Sequence, residues 1–136
     1  MVQYRRVVPL AAALFVSACG QQQQQAGEKP MTIEERGRAA FAACAVCHSV
    51  KDPTAPGYAS QVGPSLFAVY GASSAHVAGF DYSQAMRQAN LTWDDATLDA
   101  FIANPHQVIP KTRMAFAGEP DADKRAALIA YLKTLK

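Results

Sequence analysis

Cys44-Ala45-Val46-Cys47-His48 is the stretch whose reading decides the fold of this chain. Two thiols flank two small residues, and an imidazole follows at once. That spacing reads as c-type haem attachment. Residues three apart on a helical turn face the same way. Cys44 and Cys47 can therefore reach the two vinyl groups on one edge of a porphyrin. His48 then lies beneath the ring, where a ring nitrogen can bind iron.

Two other readings of the same residues fit less well. A thioredoxin-like redox pair belongs inside a βαβ pattern, and the chain shows no parallel-strand pattern. A structural zinc site needs a second ligand pair. The third cysteine, Cys19, lies in a different context, and His76 and His106 stand alone.

Upstream of the haem motif the chain reads as an export leader. Arg5 and Arg6 form a basic start, and Val7 to Ala18 is an uncharged, mostly apolar run. The run is too short to cross a bilayer as a helix, so residues 1–18 read as a signal peptide. It ends Val16-Ser17-Ala18-Cys19-Gly20, which resembles a bacterial lipobox. There Cys19 is lipidated and becomes the mature N-terminus. The alternative is an ordinary signal peptidase site that leaves Cys19 unmodified. An exported free thiol is an oddity, and the lipid resolves it: one cysteine for lipid, two for haem, none for a disulfide. Residues 19–31, with Gln21 to Gln25 at their centre, read as lipid anchor and polar tether. Residues 32–136 are long enough for one domain.

Charge narrows the partners. The chain carries 13 basic and 11 acidic residues, for a net charge of +2. Removing residues 1–18 takes away Arg5 and Arg6 and no acid, so the mature chain is formally neutral. No basic stripe suits nucleic acid, and no polybasic cluster suits an anionic membrane surface. A lipid on Cys19 would supply membrane affinity instead.

The rest of the chain predicts helices and loops. Thr32-Ile33-Glu34-Glu35 is a capping box opening a helix from Ile33 to about Ala45. Residues 51–62 are loop, and Leu66 to Tyr70 suggests a short helical piece. Ser83 caps a helix over Gln84 to Ala89. Thr92-Trp93-Asp94-Asp95 opens another, with Leu98, Phe101 and Ile102 on one face, stopping at Asn104 before Pro105. Residues 105–120 read as a proline-bearing loop containing Met114. Asp121 caps a last helix from Ala122 to about Leu135, striped by Leu128, Ile129, Leu132 and Leu135. Five helices joined by long loops make an all-α domain. Such loops need something to wrap, and a large flat cofactor supplies it.

A second iron ligand is sought among Met31, Met86 and Met114. Met31 precedes the haem motif and Met86 sits mid-helix. Met114 lies in a stiff loop that can carry its sulfur to the face opposite His48. A His/Met pair raises the haem potential and fills both axial positions.

From Gly37 to Leu135 the chain resembles the class I cytochromes c, close to the mitochondrial and bacterial c2-like group. The resemblance rests on Cys44 to His48, Gly63-Pro64-Ser65-Leu66, Gly79-Phe80-Asp81-Tyr82-Ser83, Trp93, Asn104-Pro105, Pro110 to Gly118 and Leu128 to Leu132. It implies the class I cytochrome c fold, about five helices around one covalently bound haem c. It implies His48 and Met114 as axial ligands, and the Pro64 carbonyl as acceptor for the His48 ring N–H. Tyr82 and Trp93 would donate to a propionate, with Ser83 and Thr112 also on the cofactor. Gly37 and Phe41 would meet the last helix near Tyr131. The chain departs from the pattern at Ala72, where an arginine is usual, and at Phe101, Met86, Lys111 and Arg113. Its loop between His48 and Gly63 is also longer than the mitochondrial one.

These residues point to an electron carrier rather than an enzyme, lipid-anchored on the periplasmic side of a bacterial membrane. Quinol–cytochrome c reductase, a terminal oxidase or a photosynthetic reaction centre would be its transient partners, docking at the haem edge near Lys51, Lys111, Arg113 and Phe116. No small-molecule substrate is expected, and the head is expected to be a monomer. The alternative is a haem enzyme or gas-binding protein in which Met114 is displaceable.

Overall fold

The computed structural model describes residues 29–136. The expected signal peptide, Cys19 and all but the end of the expected tether lie outside them.

Among the described residues five α-helices form: α1 (Ile33–Ala40), α2 (Gln84–Gln88), α3 (Asp95–Ala103), α4 (Pro105–Val108) and α5 (Ala122–Leu132). A single 3₁₀ turn, Phe41–Ala43, continues α1. Among the described residues no strand forms, apart from an isolated bridge between Ser73 and Thr92. The cap residues start the longer helices by satisfying orphan backbone N–H groups. Thr32 Oγ1 accepts from Glu35 N at 3.2 Å, while Glu35 Oε2 accepts from Thr32 N at 2.7 Å. Asp94 Oδ1 accepts from Thr97 N at 2.8 Å, and Asp121 Oδ1 from Asp123 N at 2.9 Å.

The two ends of the domain meet where α1 crosses α5. Gly37 is the point of approach: a Cβ there would run into the Ala127 carbonyl and stand 2.8 Å from Tyr131 Cβ. The helix glycine costs about 1 kcal/mol against alanine, and the close crossing is what it permits. Phe41 packs on Tyr131 at 5.3 Å between ring centroids. Leu128, Ile129 and Leu132 of α5 are buried with Leu98 and Phe101 of α3. Arg125 binds α5 to α3 through Asp99, Nε to Oδ1 at 2.8 Å.

Three expectations are revised. The first helix is shorter than predicted and tightens at Phe41, although hydrogen bonds continue the turn to His48. Leu66 to Tyr70 is not helical. Two of its N–H groups bond outward, Leu66 N to Ser49 O and Ala68 N to Leu135 O, both at 2.8 Å, and Ala68 takes φ +50°. Residues 105–120 are not all loop, because Pro105 opens α4. Asn104 accepts from Gln107 N at 3.1 Å, and proline suits the first helical position, where its missing N–H is no loss.

Candidate haem site

The attachment turn is built by backbone bonds. Cys47 N and His48 N both donate to the Cys44 carbonyl, at 3.0 and 2.9 Å. That closes one helical turn and sets both thiols and the imidazole on consecutive steps of it. Burial, and then the neighbouring Cys47, push the Cys44 thiol above its ordinary pKa. A redox-active CxxC pair needs the opposite, a lowered thiol pKa. Among the described residues no three His, Cys, Asp or Glu side chains converge as a metal site would require, so a zinc site finds no support either.

His48 is held in one tautomer. Its Nδ1 lies 2.8 Å from the Pro64 carbonyl oxygen. A carbonyl only accepts, so Nδ1 carries the proton and Nε2 keeps its lone pair for iron. Burial pushes the imidazole below its ordinary pKa, and the Pro64 contact pulls the other way. The ring also has a floor. A Cβ on Gly63 would stand 2.7 Å from His48 Nδ1 and 2.9 Å from Nε2, so only glycine leaves the imidazole its place. Gly63 N donates to the Cys47 carbonyl at 2.8 Å. Ser65, fully buried, donates through Oγ to the Lys51 carbonyl at 2.6 Å and accepts from Phe67 N at 3.1 Å. The Gly-Pro-Ser sequence thus closes the neck of the 51–62 loop beside the histidine. Neither Gly63 as the histidine's floor nor Ser65 as the plug was legible as such in the sequence; the Gly-Pro pair was the signal.

The remaining expected cofactor residues share a chemical state. Tyr82 Oη accepts from Val77 N at 3.3 Å, Ser83 Oγ from Met86 N at 3.1 Å, and Thr112 Oγ1 from Met114 N at 3.3 Å. Each oxygen is engaged by the backbone, while its own proton is uncommitted among the described residues. Trp93 is buried with its ring 5.0 Å from Phe101. Trp93 N donates to the Ala72 carbonyl at 2.9 Å and Gly71 N to the Trp93 carbonyl at 2.9 Å. This sets Ala72 beside the tryptophan. Cys44 and Met114 pack against one apolar cluster that includes Tyr82, Met86, Trp93 and Phe101.

Three buried polar atoms have no partner among the described residues: Tyr58 Oη, His76 Nδ1 and His76 Nε2. The His76 ring lies against the backbone of Phe67 and Ser73 without good hydrogen-bond geometry; burial lowers its pKa and those backbone neighbours oppose the shift. Two thiols on one turn, an imidazole with a free lone pair, apolar walls and uncommitted hydroxyl protons fit a covalently held haem with anionic propionates.

Comparison with known proteins agrees. The cytochrome c family profile matches residues 34–136. Cytochrome c2 of Rhodomicrobium vannielii is 41% identical over 99 residues, covering 73% of this chain and 76% of the relative. Cytochrome c2 iso-2 of Magnetospirillum molischianum is 43% identical over 98 residues, covering 72% and 96%. Among solved structures, cytochrome cH from Methylobacterium extorquens superposes with a TM-score of 0.67 at 37% identity, covering 74% of this chain and 97% of that one. The fold and site define a monohaem c-type cytochrome of class I. The chain belongs to the cytochrome c family and is c2-like. Members of this family carry one covalent haem c and act as electron carriers, not enzymes.

Proposed function

We propose that this chain is a membrane-tethered cytochrome that shuttles single electrons between respiratory or photosynthetic membrane complexes on the periplasmic side. The observation that carries the reading is the His48–Pro64 contact at 2.8 Å, which fixes a neutral imidazole beside two thiols on one turn. A bound haem supplies one-electron iron chemistry, and Cys44, Cys47 and His48 would hold it. Met114 would be the second axial ligand. Its support is the buried Thr112, whose hydroxyl accepts from Met114 N at 3.3 Å, and its shared apolar cluster with Cys44. Tyr82, Ser83, Trp93 and Thr112 would serve the propionates and the methionine loop. Both axial positions filled leave no open site for catalysis or gas binding.

Quinol–cytochrome c reductase, a terminal oxidase or a reaction centre would be the transient partners, docking through a small interface. Among the described residues no helix is long and apolar enough to cross a membrane. The tether reading rests on Cys19 and its lipobox sequence, because acyl chains at one terminus can anchor a polar head.

Two experiments test these readings. The ferric holoprotein should show the weak red-end band of iron–sulfur bonding, and the ferrous form should resist carbon monoxide. Rapid carbon monoxide binding by the native protein would refute the filled axial site. Cys19→Ser should release a haem-loaded head to the soluble fraction. Normal processing with retention on the membrane would refute the anchor.

A further inference from the structure

The 51–62 loop springs from beside the axial histidine. Gly63 N donates to the Cys47 carbonyl at 2.8 Å, and Ser65 Oγ to the Lys51 carbonyl at 2.6 Å. Both ends of the loop are therefore tied next to His48. A turn from Tyr58 N to the Ala55 carbonyl, at 3.1 Å, folds its tip back. Tyr58 is half-buried, yet its hydroxyl is buried and has no partner among the described residues. An unsatisfied buried hydroxyl costs about 1–3 kcal/mol, so this phenol calls for an acceptor that the surrounding polypeptide does not provide.

Its neighbour identifies the kind of acceptor. Burial pushes the Tyr82 phenol above its ordinary pKa, the Val77 N–H opposes that, and the Tyr58 phenol adds a smaller upward push. The two phenols are thus close enough to influence each other. Tyr82 Oη already accepts from Val77 N at 3.3 Å, so both phenols have a proton to give. One anion with two or more free lone pairs satisfies both, and a carboxylate has them.

We infer that Tyr58 is a further haem-binding residue, its hydroxyl donating to a propionate alongside Tyr82. The assignment rests on the haem reading above. It also explains what the long 51–62 loop is for. The loop leaves the histidine face and returns a hydrogen-bond donor to the carboxylate edge of the same cofactor. A donor lost at that edge leaves more negative charge on the propionate, which favours the ferric state.

The test begins with the wild-type ferrous holoprotein, which is diamagnetic. Proton NMR with ring-labelled tyrosine should show a nuclear Overhauser contact between the Tyr58 ring and a propionate methylene. Tyr58→Phe keeps the ring and removes only the donor. It should retain covalent haem and the iron–sulfur band while lowering the reduction potential. Tyr82→Phe should also lower it, and the double variant should fall by less than the two single shifts combined, because one carboxylate is shared. If the Tyr58 ring contacts only bound water, or if Tyr58→Phe leaves the potential unchanged, the assignment is overturned. Absence of covalent haem from the wild type would instead overturn the underlying haem reading.

Discussion

Arg113 and Asp81 are joined twice: Arg113 Nη1 donates to Asp81 Oδ2 at 3.0 Å, and Nη2 donates to the Asp81 carbonyl. One residue precedes Met114 and the other precedes Tyr82, so the pair ties the methionine loop to the loop that leads into α2. Arg87 adds a second cation to Asp81 at 3.6 Å and donates to the Tyr82 carbonyl. Arg113, and more weakly Arg87, hold the Asp81 carboxyl below its ordinary pKa. A depressed aspartate contributes above its unfolded pKa and loses that contribution as pH falls through the folded value. The clamp is therefore present at neutral and alkaline pH and is lost only in acid.

This clamp bears on alkali. A deprotonated amine binds ferric iron better than a thioether does, so at high pH, as free lysine loses its proton at about pH 10.4, a lysine of the methionine loop is the natural replacement for Met114. An arginine guanidinium offers no free amine to compete for iron, and Asp81 holds Arg113 in place. Lys111 is the nearby amine, and it sits at φ +68°, a conformation that costs a non-glycine residue about 1 kcal/mol or more. Lys111→Ala should raise the midpoint of the ferric alkaline transition or change its high-pH species. Arg113→Lys and Asp81→Ala should each lower it, Asp81→Ala by under about one pH unit because the pair is exposed. Spectroscopic titration of the iron–sulfur band reads all three. If none moves the transition, the replacing ligand comes from outside this loop and the clamp is idle.

Gly63→Ala tests the floor under His48. The added Cβ would stand 2.5 Å from the imidazole Cε1, and both neighbours are fixed, the ring by Pro64 and the backbone by Cys47. Overpacking of this kind typically costs about 1–3 kcal/mol. The variant should unfold at lower denaturant and show altered axial ligation in its visible spectrum. Unchanged stability and an unchanged spectrum would show that the ring can shift freely.

What could be read in advance was local. The caps at Thr32, Ser83 and Asp121, the helix start within Thr92–Asp95, the Cys44–His48 turn and the approach at Gly37 each announce themselves within a few residues, and each is observed. What was missed depends on partners far along the chain. Leu66 to Tyr70, before Gly71, suggests a short helical piece, but Ser49 and Leu135 take the N–H groups of Leu66 and Ala68. Arg113 finds Asp81 across 32 residues. Pro105 was ambiguous even locally, since proline both ends one helix and begins another; Asn104 capping Gln107 decided it. Tyr58 looked like a loop residue until its buried hydroxyl showed no partner.

Ala72 predicts a pH-dependent potential. It lies beside Trp93, at the position where related cytochromes often place an arginine near a propionate. Arg87 does not stand free to replace it, being engaged with Asp81 and the Tyr82 carbonyl. A propionate buried without a cation has its pKa raised, so the potential should fall as pH rises through the mildly acidic to neutral range. Ala72→Arg should raise the potential at pH 7 and move that dependence to lower pH. Voltammetry showing a flat profile in the wild type would refute it.

The last prediction concerns docking. Val46 and Val62 are 80% and 84% exposed. Each sits one residue before an end of the Gly63–Cys47 hydrogen bond, so both flank the attachment turn. Residues 39–50 and 54–80 contain no Asp, Glu, Lys or Arg. Arg113, a candidate docking charge on sequence grounds, is committed to Asp81. The surface around the thioether edge therefore presents apolar side chains, with little long-range charge to steer a partner. Steered association falls steeply with ionic strength, whereas apolar docking does not. Electron transfer with membranes of the source organism should thus vary only weakly with salt. Burying a valine side chain contributes about 1.5–3 kcal/mol, so Val46→Asn or Val62→Asn should slow the second-order rate several-fold, and by about tenfold at most if the contact is partial. The reduction potential should not change, because neither side chain is placed on the haem. A rate that drops steeply between low and physiological salt, or that ignores both valines while Lys51→Ala or Lys111→Ala slows it, would place the docking face on the lysines instead.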